Sequence, residues 1–254
     1  MKKFAQYISG VAILVVAIPF FGSSSKVAVG NVQINFANFV GNVVLTLDDA
    51  HYKNNLAQDF TVTNFKYYIG KIHLKNDKGK EYVSDKYYLI KADDLASQQF
   101  ELENVPSGKY VSMSFTLGVD SIDNCSGAQS GSLDPVNAMF WSWNTGYIFL
   151  KLEGKSPDSK SNGNIFEYHI GGYQAPNNCI RKITIDMKNK PLRFTAGNFG
   201  HIAIKADAAE VLKSPVDIDF SKLSSVTDFH NATMIADNYK DMFSLLEVEY
   251  ADGK

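Results

Sequence analysis

Apolar and polar residues alternate along most of this chain, and a period of two predicts half-buried β-strands. Val111, Met113, Phe115, Leu117 and Val119 interleave with Ser112, Ser114, Thr116 and Gly118. The same pattern runs through Val32-Ile34-Phe36, Val43-Leu45-Leu47, Phe65-Tyr67-Ile69, Ile183-Ile185-Met187, Ile202-Ile204-Ala206, Val216-Ile218-Phe220 and Leu246-Val248-Tyr250. Shorter strands are expected at Tyr87 to Ile90, Phe100 to Leu102, Tyr147 to Leu152 and Phe166 to Ile170. Asn76-Asp77-Lys78-Gly79, Pro106-Ser107-Gly108 and Gly163-Asn164 supply the turns between them. Strands punctuated in this way predict an all-β fold, an antiparallel Greek-key sandwich or barrel. Helical spacing occurs once, at Ile235, Tyr239, Met242 and Phe243, and predicts a short helix near the C-terminus. No linker or internal repeat divides the pattern, so residues 26–254 read as a single domain.

The first residues follow another rule. Lys2 and Lys3 precede an apolar run from Ile8 to Phe21, and Gly22-Ser23-Ser24-Ser25 follows it. Charge, apolar stretch and small residues in that order form a secretory signal, assigned here to residues 1–25. The alternative is a retained anchor. The run falls short of the roughly 20 residues that span a bilayer, and Pro19 interrupts it. The expected mature chain is therefore periplasmic or secreted, with no membrane segment.

Charge narrows the partners. Without Lys2 and Lys3 the chain keeps 23 of its 25 basic residues against 27 acidic ones, a net charge near −4. No basic cluster invites nucleic acid. The two cysteines, Cys125 and Cys179, point to a disulfide in an exported chain, the alternative being two buried free thiols.

Candidate chemistry is sparse. There is no Gly-x-Ser-x-Gly elbow, P-loop, dinucleotide fingerprint or Cys-x-x-Cys. Of the five histidines, His73 and His201 occupy polar positions of alternating strands, and His230 beside Asn231 reads as a cap or a solvated residue. His51 follows Asp48-Asp49 where a loop begins. His169 points away from Phe166, Tyr168 and Ile170 and precedes Gly171-Gly172, which would let other backbone approach closely. The chain's two tryptophans, Trp141 and Trp143, lie in Met139-Phe140-Trp141-Ser142-Trp143-Asn144-Thr145-Gly146-Tyr147. That block serves either as core packing or as an aromatic wall beside a ligand.

Several stretches resemble the MbnP-like family, relatives of the copper proteins MbnP and CorA. They are Phe65-Lys66-Tyr67-Tyr68-Ile69, Val105-Pro106-Ser107-Gly108-Lys109-Tyr110, the tryptophan block, Glu153-Gly154 and Tyr168-His169-Ile170-Gly171-Gly172. Ile235-Ala236-Asp237-Asn238-Tyr239 further resembles the Bacteroidetes-type form. The resemblance implies a periplasmic, non-catalytic protein that binds copper through histidine and a tryptophan oxidised to kynurenine. It implies a partner too, a di-haem cytochrome c peroxidase of the MauG/MbnH type. His169 matches the family's His-x-Gly motif, Trp141 and Trp143 match its aromatic block, and His51 is taken as the second histidine. The competing reading is a metal-free β-sandwich module that binds a partner or a glycan.

Overall fold

The computed structural model describes residues 28–127, 129–141, 146–195, 197–229 and 231–250. The expected leader, Trp143 and His230 lie outside the described residues. The strands are β1 (Val29–Val40), β2 (Val43–Val44), β3 (Tyr52–Lys53), β4 (Asp59–Asn76), β5 (Glu81–Lys91), β6 (Gln99–Pro106), β7 (Gly108–Leu117), β8 (Phe140–Trp141), β9 (Gly146–Lys155) and β10 (Ile165–Gly171). They continue with β11 (Arg181–Asp186), β12 (Leu192–Phe194), β13 (Phe199–Asp207), β14 (Ser225–Val226) and β15 (Phe243–Tyr250). Two helices join them, α1 (Ser121–Cys125) and α2 (Ala232–Tyr239).

The strands form two sheets. One runs β15-β13-β1-β2, with β6 also on β1; the other runs β11-β7-β4-β9-β10-β14, with β12, β3, β5 and β8 on its flanks. Together they make the expected β-sandwich with a short helix near its C-terminus. Pairing is antiparallel except that β1 runs parallel to β13, and β10 to β14. The long β4 is the hinge of the larger sheet. Thr61 to Tyr67 pair with β9, while Ile69 to Asn76 pair with β7 on the same side. Just past the change of partner, a bulge between Gly70 and His73 holds Lys71 at a positive φ of 51°. A bulge bends its strand, which lets one strand serve two neighbours.

Alternation decides what the sandwich encloses. Val32, Ile34 and Phe36 of β1 are fully buried, as are Phe65, Tyr67 and Ile69 of β4. Phe36 joins the two layers, its ring meeting Tyr67, Phe115 and Phe243 edge-on at 5.5–6.3 Å. The buried Tyr67 hydroxyl is satisfied by Asn38 Oδ1 at 3.0 Å.

Four expectations change. Of Val43-Leu45-Leu47, only Val43–Val44 forms a strand. Val216-Ile218-Phe220 is not a strand, although Ile218 and Phe220 are buried. Its backbone is satisfied instead by side chains: Asn238 Oδ1 accepts from Val216 N, Asn238 Nδ2 donates to Val216 O, and Gln58 Oε1 accepts from Phe220 N. Those partners remove the need for a ladder. The helix stops at Tyr239, leaving Met242 in a turn and Phe243 as the first residue of β15. Finally, the bridge expected between Cys125 and Cys179 is absent, and both are free thiols. Cys125 is exposed at the end of α1 with its Sγ 3.4 Å from the Tyr173 hydroxyl. Cys179 is buried, its N–H donating to Gly172 O and its carbonyl accepting from the Tyr239 hydroxyl. Burial pushes its thiol up to about 12, away from the thiolate that disulfide exchange needs.

Phe36→Ala should lower the unfolding free energy by about 3–5 kcal/mol, because a large aromatic leaves a cavity that rigid sheets cannot close. Val44→Ala, at a position 62% exposed, should stay within about 0.5 kcal/mol. Urea titrations of the two variants check the contrast.

Candidate functional site

Residues directly opposite one another on neighbouring strands share a face of the sheet. Tyr67, Leu150 and Ile170 form one such row across β4, β9 and β10 and face the interior. One residue along, Lys66, Lys151 and His169 form the next row, and Lys91 of β5 extends it. This row therefore faces outward. Beside it runs a second outward row, Asn64, Glu153, Glu167 and Ser225. Alternation thus lays a basic stripe against an acidic and amide stripe.

Where the stripes meet, a tight polar cluster forms. His169 Nε2 lies 2.6 Å from Glu153 Oε1, and Asn64 Nδ2 donates to Glu153 Oε2 at 3.0 Å. Lys151 Nζ is 3.9 Å from Glu153 Oε1 and donates to the Ala138 carbonyl at 2.8 Å. The side chains of Lys151 and His169 are only 11% and 16% exposed. The His169 hydrogen bond is the main reason the Glu153 carboxyl is held down at about 2, with Asn64 and Lys151 adding to it. Burial lowers the Lys151 ammonium, opposed by Glu153. Glu153 orients His169. Glu167 instead accepts from Ser225 Oγ at 3.2 Å.

Above the outer face, the chain between α1 and β8 folds over the sheet. Tyr68 and Tyr147, whose rings meet edge-on at 5.8 Å, donate to the Ser132 and Leu133 carbonyls. Phe140 packs on Tyr147 at 5.0 Å and so belongs to this side. Trp141, next along β8, points the other way, because successive side chains on a strand alternate. Its ring lies 5.8 Å from Phe229 and is 5% exposed. It also covers Gly171, where an added Cβ would stand 2.7 Å from the indole. The Tyr147 carbonyl would stand closer still, at 2.5 Å, so the glycine after His169-Ile170 is required by the β9 backbone and the tryptophan together.

Of the residues expected to form one site, the three that are described, Trp141, His169 and His51, are separated. Trp141 reaches the end of β10 only two residues past His169, yet on the opposite side of the sheet from the imidazole. His51 is exposed and lines an open cleft with Asp48, Thr61 and Lys155. Lys155 lies four residues along β9 from Lys151, about 13 Å, and nine from Gly146, the partner of Trp141, about 30 Å. His51 thus belongs to the far end of the domain. Among the described residues no three His, Cys, Asp or Glu side chains converge as a metal site. The roles of Glu153, Lys151 and Asn64 were missed because each depends on register between distant strands. Phe229 was missed too; it is followed in the chain by His230.

These features define a β-sandwich whose larger sheet carries Trp141 on the short strand β8 beside β9. The chain belongs to the MbnP family, whose model matches residues 29–232. MbnP-family proteins are periplasmic or secreted copper-binding proteins and not enzymes. This chain is accordingly periplasmic or secreted, and non-catalytic. A solved structure, MbnP from Methylosinus trichosporium, is similar at 14% identity, covering 75% of this chain and 79% of that one with a TM-score of 0.48. No curated protein matches.

The Glu153 carboxyl supplies a test by pH. Its folded value of about 2 lies below the ordinary 4.5, so its stabilisation is complete above pH 4.5 and is lost as pH falls toward 2. Glu153→Gln should be less stable than the parent near pH 6, and the gap should close as the pH falls through that window. Chemical denaturation at a series of pH values measures it.

Proposed function

We propose that this protein binds copper in the periplasm, held by histidine and by kynurenine formed from Trp141 or Trp143. A di-haem cytochrome c peroxidase of the MauG/MbnH type makes the kynurenine. The observation that carries this reading is the family match over residues 29–232, which spans both the tryptophan block and the His-x-Gly segment. Imidazole and an aromatic amine suit copper without thiolate. The fit among the described residues is incomplete, since no three ligating side chains converge there. A kynurenine amine is not among those groups, so oxidation of tryptophan would add a ligand that the unmodified chain lacks. Trp141 is the described tryptophan, packed on Phe229 and Gly171. Of the histidines expected as ligands, His169 is engaged by Glu153 on the other side of the sheet and His51 lies at the far end.

A second reading is a metal-free interaction or glycan-binding module. The same lack of a convergent ligand set, and the separation of His169 from Trp141, favour it.

Periplasmic protein produced with its native peroxidase should carry stoichiometric copper and one kynurenine by intact mass. Protein made without the peroxidase should carry neither. Trp141→Phe or Trp143→Phe should abolish both, but only at the converted position. Alanine in turn at His51, His169 and His230 identifies the histidine as the one whose loss removes copper and spares kynurenine. Two unmodified tryptophans and no copper in native material would overturn this reading in favour of the metal-free module.

A further inference from the structure

The Lys151 ammonium makes its short hydrogen bond not to its nearest carboxylate but to a backbone carbonyl. Ala138, which offers that carbonyl, is a left-handed corner with φ 57° and ψ 33°. For a residue with a Cβ this conformation is disfavoured. The next residues are Met139, wholly buried, and then Phe140 and Trp141 of β8. The ammonium therefore grips the corner from which the tryptophan segment sets out.

A buried ammonium prefers a carboxylate in direct contact, since a charge-assisted pair is stronger than a bond to a neutral carbonyl. Glu153 is close enough to offer one, at 3.9 Å from Nζ. Its position is fixed by His169 on one oxygen and Asn64 on the other, which leaves the ammonium beyond hydrogen-bond reach. We propose that His169 is a positioning residue: by holding Glu153 off Lys151 it keeps the ammonium on the Ala138 carbonyl and so sets how Trp141 is seated between Gly171 and Phe229. The effect crosses the sheet, from an outward imidazole to an indole on the opposite side. Only the purpose of the seat rests on the copper reading; the seating does not.

The test uses the mature chain carrying Trp143→Phe, made without the peroxidase, so that Trp141 is the only tryptophan emitter. His169→Ala should release Glu153 to contact Lys151 and loosen the corner. Trp141 emission should then shift to the red and become more accessible to acrylamide, with far-UV circular dichroism unchanged. His169→Gln, whose amide N–H can still donate to Glu153, should restore the parent spectrum. Lys151→Met should reproduce the shift of His169→Ala. Glu153→Gln added to His169→Ala should reverse it, because the neutral amide no longer draws the ammonium away. That reversal would not occur if His169 merely filled space. His169→Asn, too short to reach Glu153, replaces the alanine variant should the latter fail to fold. An unchanged Trp141 emission in the His169 variant, or a shift that Glu153→Gln does not reverse, would overturn the proposal. The full pattern in a protein whose native form carries no copper supports the positioning role and overturns only the copper reading.

Discussion

The register between β4 and β9 is the constraint on which the rest of the molecule depends. Tyr67 opposite Leu150 and Phe65 opposite Leu152 aim their side chains into the sandwich, while Lys66 opposite Lys151 and Asn64 opposite Glu153 aim outward. Because the side-chain period is two, a slip of one residue would exchange these sets. A slip of β9 would bury Lys151 and Glu153 beneath the second sheet and expose Leu150 and Leu152. No local repair could compensate for that. Core and polar cluster are consequently two faces of one pairing, and neither can vary without the other.

The polar cluster shows how the fold manages charge near its surface. Lys151 is buried enough that its ammonium is destabilised, and Lys66 beside it adds repulsion. An unpaired cation in that position would be costly. Glu153 offsets it from a short distance, and is itself stabilised by an imidazole and an amide. The arrangement is asymmetric. The carboxylate has the close partners, and the ammonium is left free to bind backbone. A buried lysine that bonds a carbonyl acts as a clasp on whatever chain carries that carbonyl, here the approach to β8.

The tryptophan end obeys steric rather than electrostatic rules. Trp141 can lie across β10 because Gly171 has no side chain, and Phe229 meets the ring edge-on. The first glycine of the dipeptide that marks a family motif in the sequence is, in the folded chain, a seat for an indole. That changes the meaning of His169. Gly171 leaves room for the tryptophan, Gly172 for the Asn177 carbonyl, and the imidazole itself serves Glu153. Two adjacent features of one short motif thus act on opposite sides of one sheet.

The sequence by itself determined the strand content, the enclosed faces and the family. Alternation at Val111 to Val119 or Phe65 to Ile69 is a local property, and burial on one face follows from it directly. It also singled out His169 and the tryptophan block as unusual. It could not determine partners. Ile218 and Phe220 carry a strand's pattern, yet Asn238 and Gln58 hold the backbone around them from distant parts of the chain. Nor could it show that Glu153 orients His169, that Lys151 clasps Ala138, or that Cys125 and Cys179 turn to different neighbours. Each of these contacts joins residues brought together by sheet register or by a loop folding over a sheet. Alternation says only which side of its own strand a residue occupies. Which residue stands opposite was decided by the packing of the whole chain, since a pairing is fixed only when both faces of the sheet are satisfied at once.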